Sequence, residues 1–291
     1  MKKTIVALCA LGMLWGSAVV VASPSSDLSA FRAYFKKRFP SVKLEAYKDG
    51  IYALDADRKA AWKDFIDFGA PYEEGVKAGQ KLFTKRFKNG KSLAKCFKRG
   101  GKGIRQSFPY FDKRKGTVVT LEAAINECLV KNKEKKLKWK TGKIAGLSAY
   151  MASTSNGKKG SVRISSDPRS LAIYERGKRH FYAKRGQLNF SCADCHVYNS
   201  GRMIRANLLS PALGQTTHFP VWRKKWAKKS ETKGKTGPYR GFGTLHRRYG
   251  GCNKQVRAKP FKAQSAEYTA LEYFHQYMSN GISINAPGLR Q

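Results

Sequence analysis

From Asp27 to Phe39 the apolar residues Leu28, Phe31, Phe35 and Phe39 recur at three- and four-residue spacing, the mark of one helix face. Ser26 is a candidate cap and Pro40 a stop, since the residue before proline is pushed out of the helical region. Thr120 to Leu129 repeats the pattern with Leu121, Ala124, Ile125 and Cys128. Ile144, Leu147 and Met151 form a third stripe, and Ser265 to Ser279 aligns Leu271, Phe274, His275 and Met278. Alternating strand patterns are short and few, so the pattern predicts a mainly α protein with long Gly- and Lys-rich loops. One apolar run is different in kind. Ile5 to Val21 follows Lys2 and Lys3 and ends in Val20-Val-Ala22 before Ser23, which reads as a cleaved secretory signal peptide over residues 1–22. Gly12, Gly16 and Ser17 interrupt the run and speak against a permanent anchor, and Cys9 leaves with the peptide. No second long apolar stretch follows, so the mature chain has no membrane span and is expected in the periplasm, a compartment that permits disulfides.

The mature part, 291 residues less 22, has length enough for two compact cores. Ser153-Thr-Ser-Asn-Gly-Lys-Lys-Gly160 has linker composition and separates two halves that look related. Gly79-Gln-Lys-Leu-Phe83 precedes Cys96 much as Gly177-Lys-Arg-His-Phe181 precedes Cys192 and Cys195. Further on, Cys128 stands 23 residues before Met151, and Cys252 stands 26 before Met278. The expectation is two tandem cytochrome c-like domains, residues 23–154 and 161–291, the first having lost its haem.

That expectation rests on Phe190-Ser-Cys-Ala-Asp-Cys-His196. In a Cys-x-x-Cys-His run two thiols one turn apart can take up the two vinyl groups on one haem edge, and the following histidine ligates the iron. Cys192 and Cys195 are thus candidates for thioether attachment of one haem c and His196 for an iron ligand. A zinc site would ask for a second Cys or His pair, and a thioredoxin-like redox pair does not need the histidine. Met278 and Met203 are explained by packing, while His218 and His246 stay in reserve as second iron ligands.

Charge changes the picture less than its size suggests. The formal charge is +39, falling by two to +37 without Lys2 and Lys3. In an exported protein this argues for attraction of acidic proteins and small anions, and against nucleic acid binding despite Trp222 and Trp226 among basic residues. Of the remaining cysteines, Cys96 and Cys128 are candidates for a disulfide formed where a haem pocket has collapsed, or for a pair of buried thiols. Cys252 lies among Arg247, Arg248, Lys254 and Arg257, a setting that favours a thiolate and admits an anion; a spare thiol is the plainer alternative.

Arg248-Tyr-Gly-Gly-Cys252-Asn-Lys-Gln-Val-Arg-Ala258, together with the haem motif, Gly214-Gln-Thr-Thr-His-Phe-Pro220 and Asn280-Gly-Ile-Ser-Ile-Asn-Ala-Pro287, resembles the SoxA family. The resemblance spans most of the mature chain and is closest to the single-haem branch, because where many relatives carry a second haem motif the first half has only Cys96. It implies the catalytic subunit of L-cysteine S-thiosulfotransferase, which joins thiosulfate to a cysteine of a SoxYZ-type carrier protein as a cysteine S-thiosulfonate. It implies Cys252 as second axial ligand and active-site residue, a persulfide or nucleophile candidate, and Arg248 as the substrate-binding residue. A SoxX-type cytochrome subunit and a soluble cytochrome c acceptor are the implied redox partners. A plain periplasmic electron-transfer cytochrome and a haem-thiolate sensing module are the alternatives that sequence leaves open.

Overall fold

The computed structural model describes residues 23–204 and 207–290. The expected signal peptide lies outside them. The chain folds as α1 (Pro24–Arg38), a 3-10 stretch over Leu44–Ala53, α2 (Ala56–Asp67), α3 (Glu73–Thr84), α4 (Leu121–Lys131) and α5 (Lys143–Ser153), followed by α6 (Pro168–Tyr182), α7 (Lys224–Glu231), α8 (Leu245–Gln255) and α9 (Ala266–Tyr277). Strands are two or three residues long. The largest sheet places Val221–Arg223 between Phe242–Gly243, antiparallel, and Gly288–Arg290, parallel. Among the described residues no helix is long and apolar enough to cross a membrane.

The helix expected from Asp27 starts earlier. Ser23 is the cap, Pro24 supplies the first helical φ, and Ser26 is the third helical residue whose hydroxyl reaches back to the Ser23 amide at 2.8 Å. Ser26 closes a reciprocal capping box rather than opening the helix. The other stripes fall on helices. Thr120 caps α4 through the Ala123 amide at 3.1 Å, and Leu271, Phe274, His275 and Met278 are all buried.

Two helix crossings organise the molecule. A Cβ built on Gly79 of α3 would stand 2.2 Å from the Gly146 carbonyl of α5, and one on Gly177 of α6 would stand 2.0 Å from the Ala270 carbonyl of α9. Only glycine lets the backbones come this close. One turn along each pair, Phe83 packs on Tyr150 at 5.3 Å and Phe181 on Phe274 at 5.4 Å between ring centroids.

Each crossing seeds a core, and the two cores trade elements across the sequence midpoint. Phe31 and Phe35 of α1 join Tyr174, Phe181, Leu271 and Phe274 beneath the α6/α9 crossing. Trp222, Phe242 and Leu289 of the sheet join Phe83, Ile125, Ile144 and Met151 beneath the α3/α5 crossing. Each buried aromatic contributes about 1.5 to 3 kcal/mol, so α1 is anchored to the half remote from it in sequence. The Ser153–Gly160 stretch is likewise pinned. The Gly157 amide donates to Ile284, the Ile284 amide to Lys158 and the Gly160 amide to Ile282, while Asn156 exchanges two hydrogen bonds with Ala286. Its small polar residues serve close packing, with Ser155 fully buried.

Burial also fixes the charge of three histidines, and it holds the His275 ring down to about 3. His180 accepts from Arg185, and burial with the Arg185 charge holds its ring down to about 4. Burial, helped by Arg290, holds His218 well below its usual value, and Arg290 donates to its Nε2 at 3.2 Å. All three rings are neutral in the fold and take up protons on unfolding below pH 6.5, so stability falls as pH falls. Unfolding free energies from urea titrations between pH 7 and pH 5 are expected to decline with a limiting slope of about 4 kcal/mol per pH unit, and His180→Gln removes about a third of that slope. A pH-independent midpoint would mean charged rings in the folded state.

Candidate functional site

The haem motif sits on a short helical turn prepared by its own sequence. Ser191 donates through its amide and hydroxyl to Asp194 Oδ2 at 2.8 and 2.9 Å, and its Oγ accepts from the Asp194 amide at 2.9 Å. This reciprocal cap starts the turn that carries Cys192, and it widens into a π-helical turn over Asp194–Tyr198. Cys192, Cys195 and His196 therefore come off one continuous turn.

His196 is oriented from behind. Its Nδ1 donates to the Ser210 carbonyl at 2.8 Å, with Gln215 Nε2 at 3.1 Å from the same nitrogen. The Ala212 amide holds the His196 carbonyl at 2.7 Å. Protonation at Nδ1 leaves the Nε2 lone pair for a metal, the arrangement usual for ligating histidines.

Facing it is α8, which carries Arg248 and Cys252 one turn apart on the same side. The Cys252 thiol faces His196, which helps to lower it. Between Arg248 and Cys252 lie Gly250 and Gly251. A Cβ on either would meet no protein atom closer than 3.8 Å, so packing within the chain does not demand glycine there. Two interior helix glycines cost about 2 kcal/mol relative to alanine, and they leave bare backbone beside the thiol.

The thiols differ electrostatically. Burial pushes Cys192 up to about 12, with the Cys252 charge adding to it, and burial also raises Cys195. At Cys252 burial again acts upward, but the Arg248 guanidinium, the facing His196 and Arg223 outweigh it and bring the thiol down to about 7. Cys252 is thus the thiol poised to ionise. The donor set fits haem c: two thiols on one turn, an imidazole with its outer nitrogen free, a facing low-pKa thiol and an open glycine surface.

The reserve ligands are engaged elsewhere. His218 stacks on Phe219 and takes the Arg290 hydrogen bond, while His246 lies 3.1 Å from Glu272 with both side chains buried. Met278 is in the core and Met203 is exposed. A disulfide joins Cys96, at the surface, to buried Cys128 across 32 residues. Closing such a loop is worth about 3 to 4 kcal/mol.

Residues 78–159 match the family described as SoxA/TsdA, cytochrome c domain. The chain is 48% identical to the L-cysteine S-thiosulfotransferase subunit SoxA of Chlorobaculum tepidum, with all of both chains covered. It belongs to the SoxA family. It is also 51% identical to the SoxA subunit of Chlorobaculum thiosulfatiphilum, covering 91% of this chain and 87% of that one. The crystal structure of SoxXA from P. pantotrophus contains a chain that is 29% identical, with a TM-score of 0.68, covering 80% of this chain and 84% of that one. Membership of the SoxA family and its cytochrome c domain imply haem c as cofactor.

Ser210, Gln215 and Arg223 are site residues that sequence reasoning missed. Gln215 lies in a segment that carries the family resemblance, but its partner His196 is 19 residues away. Ser210 acts through its main-chain carbonyl, which no side-chain pattern reports.

Proposed function

We propose that the protein is the catalytic subunit of an L-cysteine S-thiosulfotransferase, with Cys252 as its reacting thiol, Arg248 as its substrate anchor and one haem c. The observation that carries this reading is Arg248 one turn from Cys252, whose thiol it helps bring down to about 7 against the effect of burial. Cys192 and Cys195 would hold haem c by thioethers, with His196 and Cys252 as the donors that would bind its iron. Bound there, the haem supplies a one-electron redox centre, and a SoxX-type cytochrome subunit and a soluble cytochrome c complete the electron path.

The chain's own residues account for the sulfur chemistry. Arg248 grips the sulfonate oxygens by charge-assisted hydrogen bonds and leaves the terminal sulfur toward Cys252. One S–S bond forms between Cys252 and that sulfur as two electrons leave. A carrier thiolate of the SoxYZ type then attacks the same sulfur, takes the thiosulfonate and releases the Cys252 thiolate, as in thiol–disulfide exchange. Summed, a carrier thiol and thiosulfate give the cysteine S-thiosulfonate, one proton and two electrons. Export to the periplasm through cleavage of residues 1–22 belongs to the same reading.

The fold supports a duplicated origin for the two cytochrome-like halves, residues 23–154 and 161–291. Helix α4 runs Leu121–Lys131 behind Thr120, and α8 runs Leu245–Gln255 behind Thr244, both of eleven residues. In this register Cys128 corresponds to Cys252, and Met151 corresponds to His275 rather than Met278, each 23 residues on. The first half then lost its haem, with a disulfide drawing the Cys252 counterpart to Cys96.

Arg248→Ala is the direct test. Thiosulfate-dependent conjugation of the carrier is expected to fall by about 100-fold or more in kcat/KM, while haem content stays at the wild-type level. Wild-type turnover in this variant sinks the anchor assignment.

A further inference from the structure

Helix α8 carries the reacting thiol, yet its own sequence does little to hold it in place. Thr244 stands at its N-cap without capping it, the hydroxyl donating instead to the Trp139 carbonyl at 3.2 Å. Arg247 lies in the first turn, where no acidic residue stands and the helix dipole disfavours a cation. Gly250 and Gly251 add the conformational freedom of two interior glycines. A helix built this way takes its place from its neighbours rather than from its propensity.

The neighbour is α9, and three side-chain pairs join the two helices. His246 Nε2 lies 3.1 Å from Glu272 Oε2, Tyr249 Oη lies 3.2 Å from His275 Nδ1, and Asn253 Nδ2 donates to Tyr268 Oη at 2.6 Å. All six side chains are buried. His246 is also held from its far side, its Nδ1 accepting from the Gln264 amide at 3.0 Å. On α8 the three positions fall at i, i+3 and i+7, and on α9 Tyr268, Glu272 and His275 fall at i, i+4 and i+7, one face of each helix. Two pairs advance together along both helices and the third runs back, so the contacts do not lie on one line and oppose sliding and rotation alike. Apolar surfaces tolerate a small slip, whereas a hydrogen bond is lost outside a few tenths of an ångström.

We propose that His246, Tyr249 and Asn253 are positioning residues that set the register of α8 and so hold Cys252 at its place in the site. This deepens the transferase reading and rests on it. At about 100° per residue, Arg248 and Cys252 project about a third of a turn away from the bonded face. A rotation of α8 by about 10° moves an atom about 5 Å from the helix axis by about 1 Å, and a misplacement of that size at a reacting atom costs about 100-fold in rate. The long side chain of Arg248 follows its ligand through such a shift. Cys252, with one rotatable side-chain bond, does not.

The test uses the haem-loaded protein with its cytochrome subunit and carrier, well below the unfolding temperature of each variant. Tyr268→Phe removes one bond and keeps the ring. It is expected to lower kcat for thiosulfate by about 10- to 100-fold, with KM within about threefold and wild-type haem content, and to shift the low-spin electron paramagnetic resonance signal of the oxidised protein. The double variant Asn253→Leu/Tyr268→Phe separates positioning from stability. With both polar partners replaced by apolar groups, thermal stability is expected to return to near the wild-type value while kcat stays at least about 10-fold down. Recovery of kcat in the double variant overturns the proposal, as does a wild-type kcat or an unshifted signal in Tyr268→Phe. If these variants do not load haem, Tyr249→Phe decides: the same fall in kcat is expected, and a wild-type kcat overturns the proposal. Wild-type protein that turns over no thiosulfate overturns the transferase reading instead, and the resonance signal then still tests the positioning.

Discussion

Cys252→Ala is expected to abolish carrier conjugation, with a loss of about 10³-fold or more, while leaving haem covalently attached. The reasoning is local. Thioether attachment would need only Cys192 and Cys195 on the turn capped by Ser191 and Asp194, and α8 contributes nothing to that cap. The sulfur chemistry in contrast needs a thiol that ionises near neutral pH, and among the three described cysteines outside the disulfide only Cys252 is brought down, to about 7. An alanine keeps the helix and removes the nucleophile, a change for which no other group on α8 substitutes. Two measurements separate this from general damage. Mass analysis of the carrier reads conjugation, and low-temperature electron paramagnetic resonance of the oxidised protein reads the iron ligands. A histidine/thiolate low-spin signal in the wild type that disappears in Cys252→Ala or Cys252→Met, with conjugation lost in parallel, supports both roles. Persistence of the signal removes Cys252 from the iron and returns the protein to a plain electron carrier.

Where function follows from a few neighbouring residues, the sequence is nearly sufficient. Cys192, Cys195 and His196 share one turn, and Arg248 and Cys252 share one helix face, so spacing alone puts each set together. The helix stripes were legible for the same reason, since Leu121, Ile125 and Cys128 need only the period of the helix. Contacts made across long stretches of chain were not. Arg223 reaches the site through a three-residue strand whose pairing with Gly288–Arg290 no local pattern announces. The reach of α1 into the core under α6 and α9 is equally hidden, because Phe31 and Phe35 mark a buried face without naming what buries it. Ser153–Gly160 shows the converse. Small polar residues suit a flexible connection and a tightly bonded one alike, and only the partners at Ile282, Ile284 and Ala286 decide. In the proposed duplication the α4/α8 register sets His275 rather than Met278 against Met151, a correspondence that residue type alone does not announce.

Gly177→Val is expected to be the most damaging single change outside the chemistry. Position 177 has no room for a first carbon. A Cβ there would sit 2.0 Å from the Ala270 carbonyl oxygen, 2.6 Å from its carbon and 2.8 Å from Phe274 Cβ, two of them backbone atoms that cannot rotate away. The only relief is to separate α6 from α9, which loosens the packing of Phe181 against Phe274 and of Phe31 against Phe181. Opening that crossing gives up several buried aromatic contacts, each worth about 1.5 to 3 kcal/mol, against a total domain stability of about 5 to 15 kcal/mol. The turn bearing Cys192 and His196 packs on the same core through Ala193 and Val197, so haem attachment should fail with the fold. Gly79→Val makes a clash of similar depth, 2.2 Å from the Gly146 carbonyl oxygen, but under the other core. Haem content per chain, measured on both variants after identical expression, separates the halves. Gly177→Val is expected to retain less than about a tenth of the wild-type haem, and Gly79→Val to lower thermal stability while retaining more haem than Gly177→Val. Equal haem loss in the two would mean that the shared sheet and α1 weld the halves into a single cooperative unit.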